Sequence, residues 1–314
     1  MATLESVKTK INGLISDANS TTGKSDTTLT SAVTSLKAGY GQGSGGFTWK
    51  DILSGSYIRD NTSQSILKVS FCNNIHDGAF AYLQKMSVTN FTMEDPSPED
   101  RNKNVNIGAY AFANCGKGLS INEGLLRVTI PNIENIGERA FNECDILENV
   151  NLSSYMQNIN DSAFFKCSNL NDIKTSELNC RHIGGAAFAW CSRLNISTVN
   201  AYYIGARAFY GTAINEITLC SGYYDSSGNA SIEEYSFADC TSLQSVTING
   251  WYTLRGNLFD GTPLTEITLG STNEPLELSS SLGGSISTVK VPMSMVEQYR
   301  QATNWSQYNI EGYY

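Results

Sequence analysis

The apolar and polar positions between residues 70 and 291 follow one pattern that recurs every 21 to 32 residues. Each copy begins on Ile or Leu, places Ala-Phe or a variant of it one turn later, and ends on alternating β-branched residues. Two copies are "IGERAFNECDILENVNL", residues 136–152, and "IEEYSFADCTSLQSVTI", residues 232–248. The repeated phenylalanine of the eight copies stands at Phe80, Phe112, Phe141, Phe164, Phe188, Phe209, Phe237 and Phe259.

Each copy predicts a turn that leads into a short strand. The alternation at its end, as in Val150–Leu152 and Ile267–Leu269, puts every second residue on one side of a strand. The segment from Ile to Phe predicts an irregular or short helical turn whose Phe points inward. Because a unit of this size cannot bury its own apolar side, neighbouring copies must stack and share one core.

The cysteines fit the same pattern. Five of the eight lie three residues after the repeated phenylalanine, at Cys115, Cys144, Cys167, Cys191 and Cys240. Thr212 and Thr262 take that position in two other copies. A position shared by Cys and Thr favours a small buried side chain bonded to a turn, so we expect free thiols and no disulfides.

These copies resemble leucine-rich repeats of the bacterial surface-antigen type, called BspA-like or treponemal, with the motif I-x-x-x-A-F-x-x-C-x-x-L-x-x-I-x-I. The resemblance implies an α/β solenoid, a right-handed curved array of about eight repeats with short strands. "VKVPMSMVEQYRQATNWSQY", residues 289–308, resembles the terminator of such arrays, in which Val296, Tyr299 and Trp305 cover the open end of the core. Members of this family bind rather than catalyse, in adhesion at bacterial and protozoan surfaces, so the resemblance implies a binding protein.

The first forty residues carry a different pattern. Apolar residues at helical spacing predict two short helices on either side of the polar turn "SDANSTTGKSD". "GKSDTTLTSAVTSL", residues 23–36, resembles a segment near the start of tail and baseplate-associated proteins of phages and prophages of gut Firmicutes. The predicted organisation is a helical attachment or oligomerisation module at 1–40, a Gly-rich linker at 41–47, the solenoid at 48–290 and a C-terminal cap at 291–314.

Composition narrows the possible partners. The 314 residues are 40% apolar and 16% charged, with a formal net charge of −9. An acidic chain without a basic run disfavours nucleic acid as a partner. No apolar run reaches the roughly 18 residues of a membrane helix, and residues 1–17 lack the features of a secretory signal. We therefore expect a protein that binds neither nucleic acid nor membrane and carries no export signal.

The sequence patterns that resemble catalytic, cofactor-binding or metal-binding motifs are each explained by a structural role instead. "ANSTTGKS" nearly spells a phosphate-binding loop, but a helix rather than a strand precedes it, and "GQGSGG" has the composition of a linker. His76 and His182, the two histidines, lie on repeat turns without a nucleophile or acid partner. No C-x-x-C pair occurs. We therefore expect no catalytic residue, no cofactor and no metal.

Two sets of side chains favour ligand binding. Aromatic pairs lie in the spacers before consecutive copies, where Tyr and Trp would offer rigid amphipathic contact area: Tyr202, Tyr203, Tyr223, Tyr224, Trp251 and Tyr252. Strand residues that point away from the core would line an extended face: Thr129, Asn151, Thr218, Thr247 and Thr268. The alternative is that the aromatic residues pack at repeat edges and the Thr and Asn residues form a solvated face.

We interpret the sequence as a non-catalytic protein that recognises a protein or glycan on a bacterial surface. In this interpretation it is a component of a phage or prophage tail, attached to a tail structural protein through its N-terminal module and compatible with a homo-oligomer. One alternative is a bacterial surface adhesin, exposed or secreted, that binds host proteins or proteins of neighbouring cells. A further alternative is a glycan-active enzyme that uses carboxylates on the repeat turns.

Overall fold

The structure is a computed structural model that describes residues 57–59, 65–69, 71–81, 89–115, 124–174, 176–221, 230–270 and 273–314. The N-terminal module and the linker predicted at 1–47 lie outside the described residues. In chain order the strands are β1 (Tyr57–Arg59), β2 (Ser65–Val69), β3 (Asn74–Ile75), β4 (Asn90–Met93), β5 (Val105–Ile107), β6 (Arg127–Thr129), β7 (Ile133–Ile136), β8 (Asn149–Val150), β9 (Met156–Ile159), β10 (Glu177–Ile183), β11 (Thr198–Asn200), β12 (Tyr203–Ile204), β13 (Glu216–Cys220), β14 (Ser231–Ile232), β15 (Ser245–Asn249), β16 (Thr253–Leu254), β17 (Glu266–Leu269), β18 (Glu277–Leu278), β19 (Thr288–Pro292) and β20 (Asn309–Tyr313).

The strands form two walls, because each repeat contributes one strand to each. The first wall comprises β2, β4, β6, β8, the first half of β10, β11, β13, β15, β17, β19 and β20. The second wall comprises β3, β5, β7, β9, the second half of β10, β12, β14, β16 and β18. β1 pairs antiparallel with β2, and every other pairing among the described strands is parallel. This parallel stacking is the solenoid that the repeats predict.

The repeated phenylalanines form one column through the core. From Phe112 to Phe259 each ring is fully buried, and the rings of successive repeats lie 4.9 to 6.0 Å apart, centroid to centroid. Phe80 extends the column at 5.1 Å from Phe112, while Phe91 of the first wall packs edge-on against Phe112. The predicted inward Phe is therefore confirmed, and the rings stack at the spacing of the repeats.

The turns around this column are more regular than the sequence predicts. The residues two before and two after the phenylalanine have left-handed backbones, as in Ala186 (φ 53°) and Trp190 (φ 64°). The N–H groups of Ala186, Phe188 and Trp190 donate to carbonyl groups of the next repeat at 2.7–2.8 Å. We call these turns, residues 108–114 and their equivalents, the turn ladder. It forms a third side of the solenoid and replaces the irregular or helical turn that we expected.

The cysteines that follow the phenylalanines line the core beside the turn ladder. Each thiol donates to the phenylalanine carbonyl of the preceding repeat: Cys144 Sγ lies 3.1 Å from Phe112 O, and Cys167 Sγ lies 3.0 Å from Phe141 O. Burial raises the pKa of both thiols well above its usual range. The expectation of a small buried side chain bonded to a turn is thus confirmed.

The C-terminal segment closes the end of the core. Phe259 N–H donates to Leu282 O, so one more turn without a phenylalanine follows the column. A 3₁₀ turn (Met293–Met295) leads into α1 (Val296–Gln301). Tyr299 and Trp305 are fully buried, and Trp305 Nε1 donates to Leu276 O at 2.7 Å. A terminal repeat has no neighbour on one side, and these rings cover its apolar surface. Nowhere in the described part of the chain is a helix long and apolar enough to cross a membrane.

Candidate binding surfaces

The first wall turns a row of hydroxyl groups away from the core. In β13 the buried Ile217 and Leu219 alternate with outward positions, and β15 and β17 follow the same rule. Strand register then sets equivalent residues side by side. We call four of them the threonine row: Thr198, Thr218, Thr247 and Thr268. Three of the predicted strand residues therefore lie together as expected.

The ends of the threonine row are charged. Glu177 pairs with Thr198 at one end, while Lys290 and Glu311 continue the row at the other. Lys290 Nζ lies 2.7 Å from Glu266 Oε1, and this contact raises the pKa of the lysine. Glu216 lies beside the row on β13. Carboxylates thus outnumber the ammonium group here, so this face suits hydroxyl-rich or cationic ligands rather than phosphates.

Thr129 and Asn151 lie elsewhere on the first wall. Thr129 ends β6 in a five-stranded sheet and pairs with Thr92. Asn151 N–H donates to Val128 O at 3.0 Å, and its buried Oδ1 has no hydrogen-bond partner among the described residues. An isolated bridge joins Asn149 of β8 to Asp172, which belongs to no strand of either sheet, so the five predicted residues form two groups instead of one row.

The predicted aromatic residues do not form one surface either. Tyr202 packs partly buried against the core, while Tyr203 faces outward on the second wall and stacks on His182 at 4.4 Å. Trp251 is 44% exposed, but Tyr252 is buried and its hydroxyl donates to the Ala201 carbonyl. Tyr252 therefore cannot serve as an outer contact. Tyr223 and Tyr224 lie outside the described residues.

The second wall carries an amide ladder that our sequence analysis missed. Asn106 Nδ2 donates to Asn74 Oδ1 at 3.3 Å, and Asn135 and Asn158 continue the chain at 2.6 Å each. Each Asn directly precedes the buried strand Ile, and that dipeptide spacing was visible in the sequence. His182 follows Asn158 in register, and burial lowers the pKa of its imidazole although Asp161 opposes the effect.

The turn ladder carries a second set of residues that our sequence analysis missed. Trp190 is 45% exposed, and Tyr210 of the next repeat meets it edge-on with ring centroids 5.0 Å apart. The Tyr210 hydroxyl donates to the Asp239 carboxylate, which raises the pKa of the tyrosine. The usable signal was positional, since Trp190 and Asp239 both stand two residues after a column phenylalanine.

The described residues provide little for metal or acid–base chemistry. No three His, Cys, Asp or Glu side chains gather within them as a metal site requires. Buried thiols with raised pKa values are poor nucleophiles, because the thiolate is the reactive form. What these surfaces can do chemically is donate and accept hydrogen bonds and stack aromatic rings.

Comparison with known proteins identifies the repeats. A family described as "BspA type Leucine rich repeat region" matches in six copies, over residues 105–230 and 225–282. A leucine rich cell surface protein from Faecalibacterium prausnitzii A2-165 is 17% identical, with a TM-score of 0.34, over 82% of this chain and 93% of that chain. A leucine-rich repeat protein from Bacteroides ovatus ATCC 8483 is 16% identical, with a TM-score of 0.27, over 82% and 97% respectively. No curated protein matches the sequence.

Proposed function

Because the chain belongs to the BspA-type leucine-rich repeat family, we propose that it is a non-catalytic recognition protein that binds a protein or glycan on a bacterial surface. The threonine row carries this proposal. Parallel stacking sets the outward side chains of consecutive repeats in register, and such a face is an extended array of hydrogen-bonding groups. The carboxylates at its ends favour a ligand rich in hydroxyl or cationic groups.

We place this recognition on a phage or prophage tail. The support is the resemblance of residues 23–36 to tail and baseplate-associated proteins, a segment that lies outside the described residues. The alternative is an adhesin of the bacterial cell surface, which family membership favours. Immunogold electron microscopy of a prophage-induced culture separates the two, because the antibody labels tail particles in the first case and cell walls in the second.

Binding to intact cells tests the function itself. The fluorescently labelled full chain is expected to bind some strains of a gut bacterial panel and not others, as measured by flow cytometry. A Thr218→Arg, Thr247→Arg variant places two large cations in the middle of the threonine row and should bind at least about tenfold more weakly. Thr129→Arg is the matched control on the other sheet and should bind as the wild type does. Absence of strain-selective binding would contradict the proposed function.

A further inference from the structure

Trp190 lies on the turn ladder with its indole ring held in place and partly exposed, and we call this ring the plate. The backbone N–H of Trp190 donates to the backbone carbonyl of Tyr210 at 2.7 Å, which holds the left-handed backbone of Trp190 in place. The indole ring rests against Gly211, since a Cβ added there would lie 2.9 Å from Trp190 Cε3. Only a glycine lets the ring approach the next repeat this closely. The residue as a whole is 45% exposed, so part of its indole offers an apolar plane to solvent.

Polar groups lie around Tyr210, the tyrosine that borders this plate. The Tyr210 hydroxyl is bonded to the Asp239 carboxylate, and the Arg207 charge acts on the same tyrosine. The Arg207 guanidinium itself lies 5.1 Å from the centroid of the Tyr235 ring. An aromatic side chain with a few oriented donors and acceptors beside it combines the side-chain types that line small-ligand sites.

The two charged groups beside Tyr210 favour a neutral ligand. Asp239 disfavours a phosphate or another anion, and Arg207 disfavours an ammonium group that would otherwise stack on the indole. The exposed aromatic surface here consists of one indole and one tyrosine edge. Its area is far smaller than the about 800 Å² per partner that a stable protein interface buries. A neutral sugar ring fits these limits, because its C–H face stacks on an indole while its hydroxyls bond to carboxylate and guanidinium groups.

We propose that Trp190, Tyr210, Asp239 and Arg207 form a carbohydrate-binding site on the turn ladder that takes a neutral pyranose ring. The ring packs on the exposed indole face, and its hydroxyl groups bond to Asp239 and Arg207. This site lies on a different side of the solenoid from the threonine row and does not depend on it.

A printed array of neutral, acidic and amino oligosaccharides tests this site with the full chain. The wild type is expected to bind neutral oligosaccharides, and Trp190→Ala should bind them at least about tenfold more weakly. Trp251→Ala is the matched control, because Trp251 is 44% exposed and has no ring contact among the described residues. It should stay within about twofold of the wild type. Trp190→Phe keeps a smaller plate and should fall between the wild type and Trp190→Ala.

The outcomes separate this site from the function proposed above. Binding that Trp251→Ala weakens as much as Trp190→Ala, or binding of acidic or amino sugars alone, would overturn the site. Binding lost in the Thr218→Arg, Thr247→Arg variant but kept in Trp190→Ala would assign the sugar to the threonine row, which overturns this site and supports the proposed function. Strain-selective cell binding without binding of any neutral oligosaccharide would overturn the site and leave the proposed function standing.

Discussion

Replacing Phe188 by Ala should lower the free energy of unfolding by about 4 kcal/mol. The ring is fully buried, with centroids 5.1 Å from that of Phe164 and 5.4 Å from that of Phe209. Removing it takes a stacking contact from both neighbours. The repeats cannot close the gap, because the turn ladder fixes their spacing through bonds such as Phe188 N–H to Ala208 O at 2.7 Å. The cavity therefore persists and adds to the lost burial.

Urea unfolding followed by circular dichroism measures this change, with Phe165→Ala as the matched control. Phe165 is the chain neighbour of a column ring, but its own ring is only partly buried and lies under the Lys166 ammonium at 5.3 Å. The same truncation there should cost about 1 kcal/mol. The slope of unfolding against urea should be equal in both variants, so that the midpoints compare directly.

The test compares the unfolding free energy lost in Phe188→Ala with that lost in Phe165→Ala. A Phe188→Ala loss no larger than that of Phe165→Ala would mean that the stacked rings do not hold the repeats together. A changed slope in Phe188→Ala alone would mean that the array unfolds in parts, as weakly coupled repeats do.

Two further predictions concern the repeat interfaces. Gly205→Ala should cost about 2 kcal/mol, because its Cβ would lie 2.6 Å from the Gly184 backbone, whereas Gly185→Ala has 3.5 Å of room and should be near neutral; equal urea midpoints for the two variants would contradict this. His182→Asn should reduce the loss of thermal stability between about pH 7.5 and 5.5. The pKa of His182 is lowered in the fold, so the unfolded chain takes up the proton first and stability falls as pH drops below the unfolded value. An unchanged pH dependence of the melting temperature would refute the assignment to His182.

The sequence was sufficient for the core and its repetition. Apolar periodicity identifies inward residues directly, since a Phe or Ile that recurs at one place in each copy must face the shared interior. The same reasoning located Cys144 and Cys167, whose small size and weak donor suit a position against a backbone carbonyl. These features depend on which positions are buried, and the residue type at a repeated position is a good indicator of burial.

The candidate surfaces were predicted less well because direction matters there. Neither aromatic pair lies within one strand, because Tyr202 precedes β12 and both Trp251 and Tyr252 precede β16, so the two side chains of a pair need not share a face. The structure places Tyr203 and Trp251 outward and buries Tyr252. Reading each aromatic pair as a unit assumed a common direction that the irregular segments before β12 and β16 do not provide. The outward direction of Thr218, Thr247 and Thr268 was predicted correctly because each lies between buried aliphatic residues in a clear alternating pattern.

The turn ladder could not be predicted from local preferences. A left-handed backbone costs a residue other than glycine about 1–2 kcal/mol, so the sequence "AAFAW" around Phe188 gives no reason to expect two such residues. The hydrogen bonds between repeats supply the reason, since in this conformation the backbone N–H groups of Ala186 and Trp190 both donate to the next repeat. Information of that kind lies in the stacking of copies and not in any one copy.

Trp190 is the residue of the turn ladder that folding explains least. Gly211 and Gly261 stand at the same place two residues after their phenylalanines, with φ of 67° and 73°, where glycine is unstrained. Glu143 and Lys166 occupy this position in two other repeats, where Lys166 Nζ forms an ion pair with Glu143 Oε1 at 4.0 Å. At 45% exposure the indole leaves apolar surface in solvent, at a place where these other repeats carry Gly, Glu or Lys. A sugar ring that covers the open indole face would bury this apolar surface, which the isolated fold leaves exposed.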